Sequence, residues 1–166
     1  VVDGIPYGDD PADGVVKGRR FSHARLGVAF EAPEGFTLEN TSLAVRGASA
    51  DGGRRLLFDA ADTPNGQSLE EVLRSTWSDT IEPGSLETTT VNGLPVATAT
   101  SVGKEWSFRL SAIRIGNTTY RLIMAVRTGS GDLDAMFQRT LATVRQVQPD
   151  EARRIRPLKL KVVTAQ

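Results

Sequence analysis

Apolar and polar residues alternate with a period of two along most of this chain, and the alternation is broken by two stretches of helical period. Leu26, Val28 and Phe30 alternate with Gly27, Ala29 and Glu31, which predicts a first strand, and Pro33-Glu34-Gly35 follows as a turn. Phe36, Leu38 and the residues through Val45 predict a second strand. Asp51-Gly52-Gly53 turns the chain into a third at Arg55-Leu56-Leu57-Phe58. Further on, Leu86 to Val91 meets Asn92-Gly93, a strong hairpin signal, and Leu94 to Val102 returns. After Gly103-Lys104, Trp106, Phe108, Leu110 and Ala112 alternate with Ser107, Arg109 and Ser111. Gly116-Asn117 turns again. Tyr120, Leu122, Met124 and Val126 then form one face of a strand that carries Arg121 and Arg127 on the other.

The first helical stretch begins at Ser68, an N-cap whose partner Glu71 completes a capping box. Leu69, Val72, Leu73 and Trp77 fall on one face, and the helix is expected to end near Thr80, ahead of Pro83-Gly84. The second opens at Asp132, an N-cap residue after Gly129-Ser130-Gly131. Its stripe is Leu133, Met136, Phe137, Leu141 and Val144, and Pro149 ends it.

Tight turns between the middle strands require antiparallel neighbours, and each helix must bury its apolar face. The expected fold class is α+β: an antiparallel sheet flanked by helices in a three-layer α/β/α sandwich. In element order this resembles the fold of PsbP, the photosystem II extrinsic protein, shared with a small Ran-binding import factor. Residues 1–19, punctuated by glycine and proline and acidic at Asp3, Asp9, Asp10 and Asp13, are expected to be a linker from an upstream domain. Residues 20–148 form the domain, and 149–166 a short helical turn and a tail strand.

Composition narrows the function. The 166 residues carry 20 basic and 20 acidic side chains, a formal net charge of +0, so generic nucleic-acid binding is not expected. No transmembrane segment is expected, because no run of 18 apolar residues occurs. The chain holds 0 cysteines and 1 histidine, His23, so a zinc site would have to gather carboxylates around that one imidazole. The plainer reading of His23 is an edge-strand or surface residue. Ser22 beside it in a strand points to the opposite face and cannot serve as its nucleophile. HExxH, GxSxG, GxGxxG and phosphate-loop patterns are all missing. The acidic first residues lack the spacing of a calcium loop. Glu70 and Glu71, adjacent on a helix, suit solvent better than catalysis. No catalytic, cofactor-binding or metal-binding residue is therefore assigned. Trp77 and Trp106 are either core fillers or the lining of a hydrophobic groove. The basic tail, with Arg153, Arg154, Arg156, Lys159 and Lys161, reads as a docking surface or as an edge strand that discourages aggregation.

Three stretches carry a further resemblance: Asp3-Gly4-Ile5-Pro6-Tyr7-Gly8-Asp9-Asp10-Pro11 with Gly14-Val15-Val16, Phe30 to Asn40, and Ile155 to Val163. With Thr90-Val91-Asn92-Gly93-Leu94-Pro95, they resemble the non-catalytic region downstream of the catalytic domain in zinc-dependent proteases of alphaproteobacteria, the HtpX/BepA-like metallopeptidase family. The resemblance implies a parent protein with an HExxH helix and a bound zinc upstream of Val1, and a place in the periplasm or cell envelope. It implies the upstream protease domain as a partner, and protein or peptide substrates. The opening on Val1 rather than methionine is expected of a piece of a longer polypeptide. Two functions follow as expectations: an accessory domain of such a protease for recognition or positioning, or a stand-alone ligand-binding or interaction module.

Overall fold

The computed structural model describes residues 14–41, 44–61, 67–77, 80–129, 131–148 and 150–151, with the backbone alone at 76–77. The elements run β1 (Gly14–Lys17), β2 (Arg20–His23), β3 (Val28–Glu31), β4 (Phe36–Asn40), β5 (Val45–Ser49) and β6 (Arg54–Ala60), then α1 (Leu69–Trp77). They continue as β7 (Glu87–Val91), β8 (Leu94–Val102), β9 (Trp106–Ile115) and β10 (Thr118–Arg127), then α2 (Leu133–Leu141) and β11 (Arg145–Gln146). The large sheet has the order β4-β5-β6-β10-β9-β8-β7, and a small one has β1-β2-β3-β11; every pairing is antiparallel.

The expected α+β sandwich is present. On one face of the large sheet lies α1, and on the other lie α2 and the small sheet. The second side holds the larger core, where Phe58 stacks on Tyr120 with centroids 5.4 Å apart and Phe30 tilts onto Phe58 at 4.8 Å. Phe137 of α2 is fully buried there, and the Arg109 guanidinium lies over its ring at 4.6 Å while pairing with Asp134. On the first side Val72 and Leu73 of α1 pack against Ala97, Ala99, Leu110, Ala112 and Ile123. The alanines let the helix approach the pleat closely.

Several expectations need correction. Order starts before residue 20, because Gly14–Lys17 pairs with Arg20–His23 inside the segment expected to be linker. A Cβ on Gly14 would sit 2.6 Å from Asn40 Nδ2, so the residue that reads as punctuation is needed for a close approach. The predicted Phe36–Val45 strand is two strands, folded back at Thr41, whose N–H bonds the Ala44 carbonyl at 2.9 Å and whose hydroxyl does the same at 2.8 Å. Asp132 makes no side-chain cap; Arg54 holds its carboxylate at 2.8 Å instead.

The second helix stops at Leu141 rather than near Pro149 because a tertiary partner takes the carbonyls just beyond it. Asn92 Nδ2 donates to the Ala142 and Val144 carbonyls at 2.9 and 2.8 Å. The Thr143 hydroxyl accepts from Glu31 N–H at 2.8 Å, and Arg145–Gln146 then pairs with β3. The capping box at Ser68 is observed: Ser68 N–H donates to Glu71 Oε1 at 2.9 Å and Glu71 N–H to Ser68 Oγ at 3.1 Å. The expected linker over 1–13 and the basic tail from 152 lie outside the described residues.

Candidate functional site

The side chains singled out for chemistry do not converge. His23 is buried at 3% exposure in β2, flanked on both sides by strands rather than at an edge. Its Nδ1 accepts the Leu26 N–H at 3.1 Å, which commits that ring nitrogen to closing the tight turn into β3. Ser22 points to the other face, as strand alternation requires. Glu71 is engaged in the capping box, which holds its carboxyl below the ordinary 4.5 chiefly through the Ser68 backbone N–H and then the Ser68 hydroxyl. Among the described residues no three His, Cys, Asp or Glu side chains gather as a metal site needs. No helix among them is long and apolar enough to cross a membrane.

Two concavities stand out. The smaller, about 420 Å³, lies between α2 and the β3–β4 turn, where the Arg54–Asp132 pair meets Arg19, Glu31 and Arg139. Charges of both signs face one another there.

The larger, about 1000 Å³, is the half of the large sheet that α1 leaves bare. An α-helix is roughly 10 Å wide with its side chains, and strands lie roughly 4.8 Å apart, so one helix covers about two strands. Here they are β8 and β9. Beside them the same face of β10, β6, β5 and β4 is open. Its floor continues the α1-side core outward, through partly buried Leu57 and Phe108 to Ala125.

Trp106 stands at the start of β9, partly exposed at the end of this groove. Two guanidiniums lie over its ring: Arg55 on β6 at 4.9 Å from the centroid and Arg127 on β10 at 4.5 Å. The register explains the grouping, since Arg127 is opposite Trp106 across the β9–β10 pair and Arg55 is opposite Ala125 across β6–β10. Arg55 Nε donates to the Gly52 carbonyl at 3.3 Å. Arg127 approaches Glu105 only at 3.9 Å, beyond hydrogen-bond reach. Arg46, on β5, lines the same groove with no ion pair among the described residues. Deeper on this face, Arg121 and Asp59 form a two-pronged pair at 2.9 and 2.7 Å and neutralise each other.

Of the two tryptophans, Trp106 therefore lines a groove rather than filling the core; the Trp77 side chain lies outside the described residues. The arginines of the groove are not apparent in the sequence as a set. Arg46 and Arg55 lie on the two strands of the β5–β6 hairpin, Arg127 lies far along the chain on β10, and strand register brings them onto one face. Strand parity was the available signal: Arg127 is predicted on the face opposite Tyr120, where α1 also packs.

No protein-family model matches the sequence, and no curated protein matches it. Among solved structures, the chain is similar to one from Bacteroides thetaiotaomicron VPI-5482, with a TM-score of 0.59 and 13% identity over 82% of this chain. That match spans 51% of the Bacteroides chain, about half its length. It is also similar to the Ran-binding protein Mog1p of Saccharomyces cerevisiae, with a TM-score of 0.55 and 11% identity over 82% of this chain and 98% of that one. At such identities the likeness concerns the fold, and it agrees with the PsbP-like α+β architecture expected from the order of elements.

Proposed function

We propose that this chain is a protein-interaction module, and that the bare half of the large sheet beside α1 is its binding surface. One observation carries the reading: an indole with two guanidiniums over its ring at the end of an open, apolar-floored groove. Tryptophan and arginine are the side chains most enriched where binding energy concentrates, because each offers large contact area together with directional donors. The fold alone would not support this, since one fold hosts many functions. Mog1p, which shares it, is a Ran-binding protein, so protein recognition on this architecture has a precedent.

With Trp77 replaced by Phe, Trp106 becomes the sole indole and its emission reports on the groove. Titration with pooled synthetic peptides is expected to shift that emission and to slow amide exchange in β4, β5 and β6. If no pool moves either signal, the reading fails.

A second reading sets the module inside a larger zinc-dependent protease of the cell envelope. It is favoured by the sequence stretches that resemble that family, of which Phe30–Asn40 forms the end of β3, its turn and β4. The coding sequence upstream of Val1 tests it directly, because that reading requires an HExxH helix there. Deleting the module from such a parent with no change in substrate range, localisation or stability would end it.

A further inference from the structure

We infer that the groove takes an acidic peptide segment, whose carboxylates are held by Arg55 and Arg127 beside Trp106 and by Arg46 farther along the floor. The inference rests on the proposal that this face is a binding surface, and it names the chemistry of the partner.

A guanidinium stacked on an indole uses its face and leaves its in-plane N–H groups pointing outward. Those edges match a carboxylate in a two-pronged geometry. Arg55 spends one donor on Gly52, and among the described residues its two terminal nitrogens meet no acceptor. Arg127 faces Glu105 only across 3.9 Å. Arg46 stands opposite Glu39 in the β4–β5 register without a bond between them. Three cations with unused donors thus surround an apolar floor of Leu57, Phe108 and Ala125. A segment with acidic and apolar side chains answers both features: carboxylates reach the arginine edges while apolar groups cover the floor.

A nucleic-acid strand would also stack on Trp106 and pair with arginine. The rim argues against it, because Glu39 and Glu105 stand among the cations and would repel a continuous run of phosphates. Discrete carboxylates can be spaced to avoid them.

The test selects random 12-residue peptides displayed on phage against the intact domain, and in parallel against an Arg55→Gln/Arg127→Gln variant. Selected peptides are then synthesised and titrated against Trp106 emission in the Trp77→Phe background. The expected result is enrichment of Asp and Glu among apolar residues, and binding about tenfold weaker to the variant. Affinity should also fall steeply as sodium chloride rises. Arg55→Lys should recover only part of the loss, since an ammonium keeps the charge but not the stacked fork.

If neutral versions of the peptides, with Gln for Glu, bind Trp106 equally well, the acidic inference falls and the groove remains a binding surface. Should the acidic peptides bind the arginine variant undiminished, their site is elsewhere and both readings fall. Tighter binding of an oligouridylate than of any peptide overturns the inference in favour of nucleic acid. Failure to enrich any sequence overturns it as well. Both substituted arginines are exposed at the surface, so an unchanged melting temperature is the expected control.

Discussion

Asn92 carries more of the architecture than a turn residue usually does. It occupies the left-handed region at φ 49°, where a side chain with a Cβ is strained unless, like Asn, it is short and polar. With Gly93 at φ 80° it forms the two-residue hairpin between β7 and β8. Its Nδ2 also reaches across 50 and 52 residues of sequence to the Ala142 and Val144 carbonyls, tying the hairpin to the end of α2. Asn92→Gly removes both hydrogen bonds and keeps the backbone at ease. Each bond is worth about 1 kcal/mol net, and because one of the carbonyls is exposed to water the expected loss is ~1.5 kcal/mol. Asn92→Ala removes the same bonds and adds about 1 kcal/mol of left-handed strain, for a loss of ~2.5 kcal/mol. Urea unfolding followed by circular dichroism gives both values from the shift in midpoint at unchanged slope. A loss below about 0.5 kcal/mol for Asn92→Gly would show that the hairpin does not hold α2. An Ala variant no worse than the Gly variant would refute the backbone part of the reasoning.

Two further expectations come from the same kind of reading. The Glu71 carboxyl is held below its usual 4.5 by the Ser68 N–H and hydroxyl, so its stabilising effect is complete above 4.5 and is lost as pH falls through the lower folded value. The difference in stability between the wild-type protein and Glu71→Gln should therefore shrink on acidification below the ordinary carboxylate range; a constant difference down to pH ~2 would refute the capping box as its source. The Arg121–Asp59 pair has side chains only 22% and 14% exposed, so Asp59→Asn, which strips one partner of its charge, should cost about 2 kcal/mol. The double variant Arg121→Met/Asp59→Leu should recover most of that in thermal unfolding, and a double variant as unstable as the single one would contradict the explanation.

What could be read from the sequence is what depends on neighbours along the chain. Strand alternation located β9 and β10 because Trp106, Phe108, Leu110 and Ala112, and then Tyr120, Leu122, Met124 and Val126, each recur with a period of two on one face of their strand, and Asn92-Gly93 marked the β7–β8 hairpin because only residues at ease with positive φ fit there. Ser68 and Glu71 marked the start of α1 through a contact three residues long. The misreadings depend on partners distant in sequence. The helix stripe runs on through Val144, yet α2 ends at Leu141 because Asn92 takes the Ala142 and Val144 carbonyls that would otherwise extend it. Asp132 looks like a cap until Arg54, 78 residues earlier, claims its carboxylate. The groove is of the same kind. Whether Trp106 is core or surface depends on which strands α1 covers, and that follows from where Ala97, Ala99 and Ala112 leave room for a helix.

For this face to bind as proposed, Trp106 has to stand in an open groove beside two cations. Collisional quenching of its emission in the Trp77→Phe protein tests this most directly, because iodide is drawn to arginine and caesium is repelled by it. Acrylamide is expected to quench the indole to an extent between free tryptophan and a core residue, and iodide to quench it far more strongly than caesium at low salt. An indole shielded from all three quenchers, or one quenched equally by iodide and caesium, would contradict it.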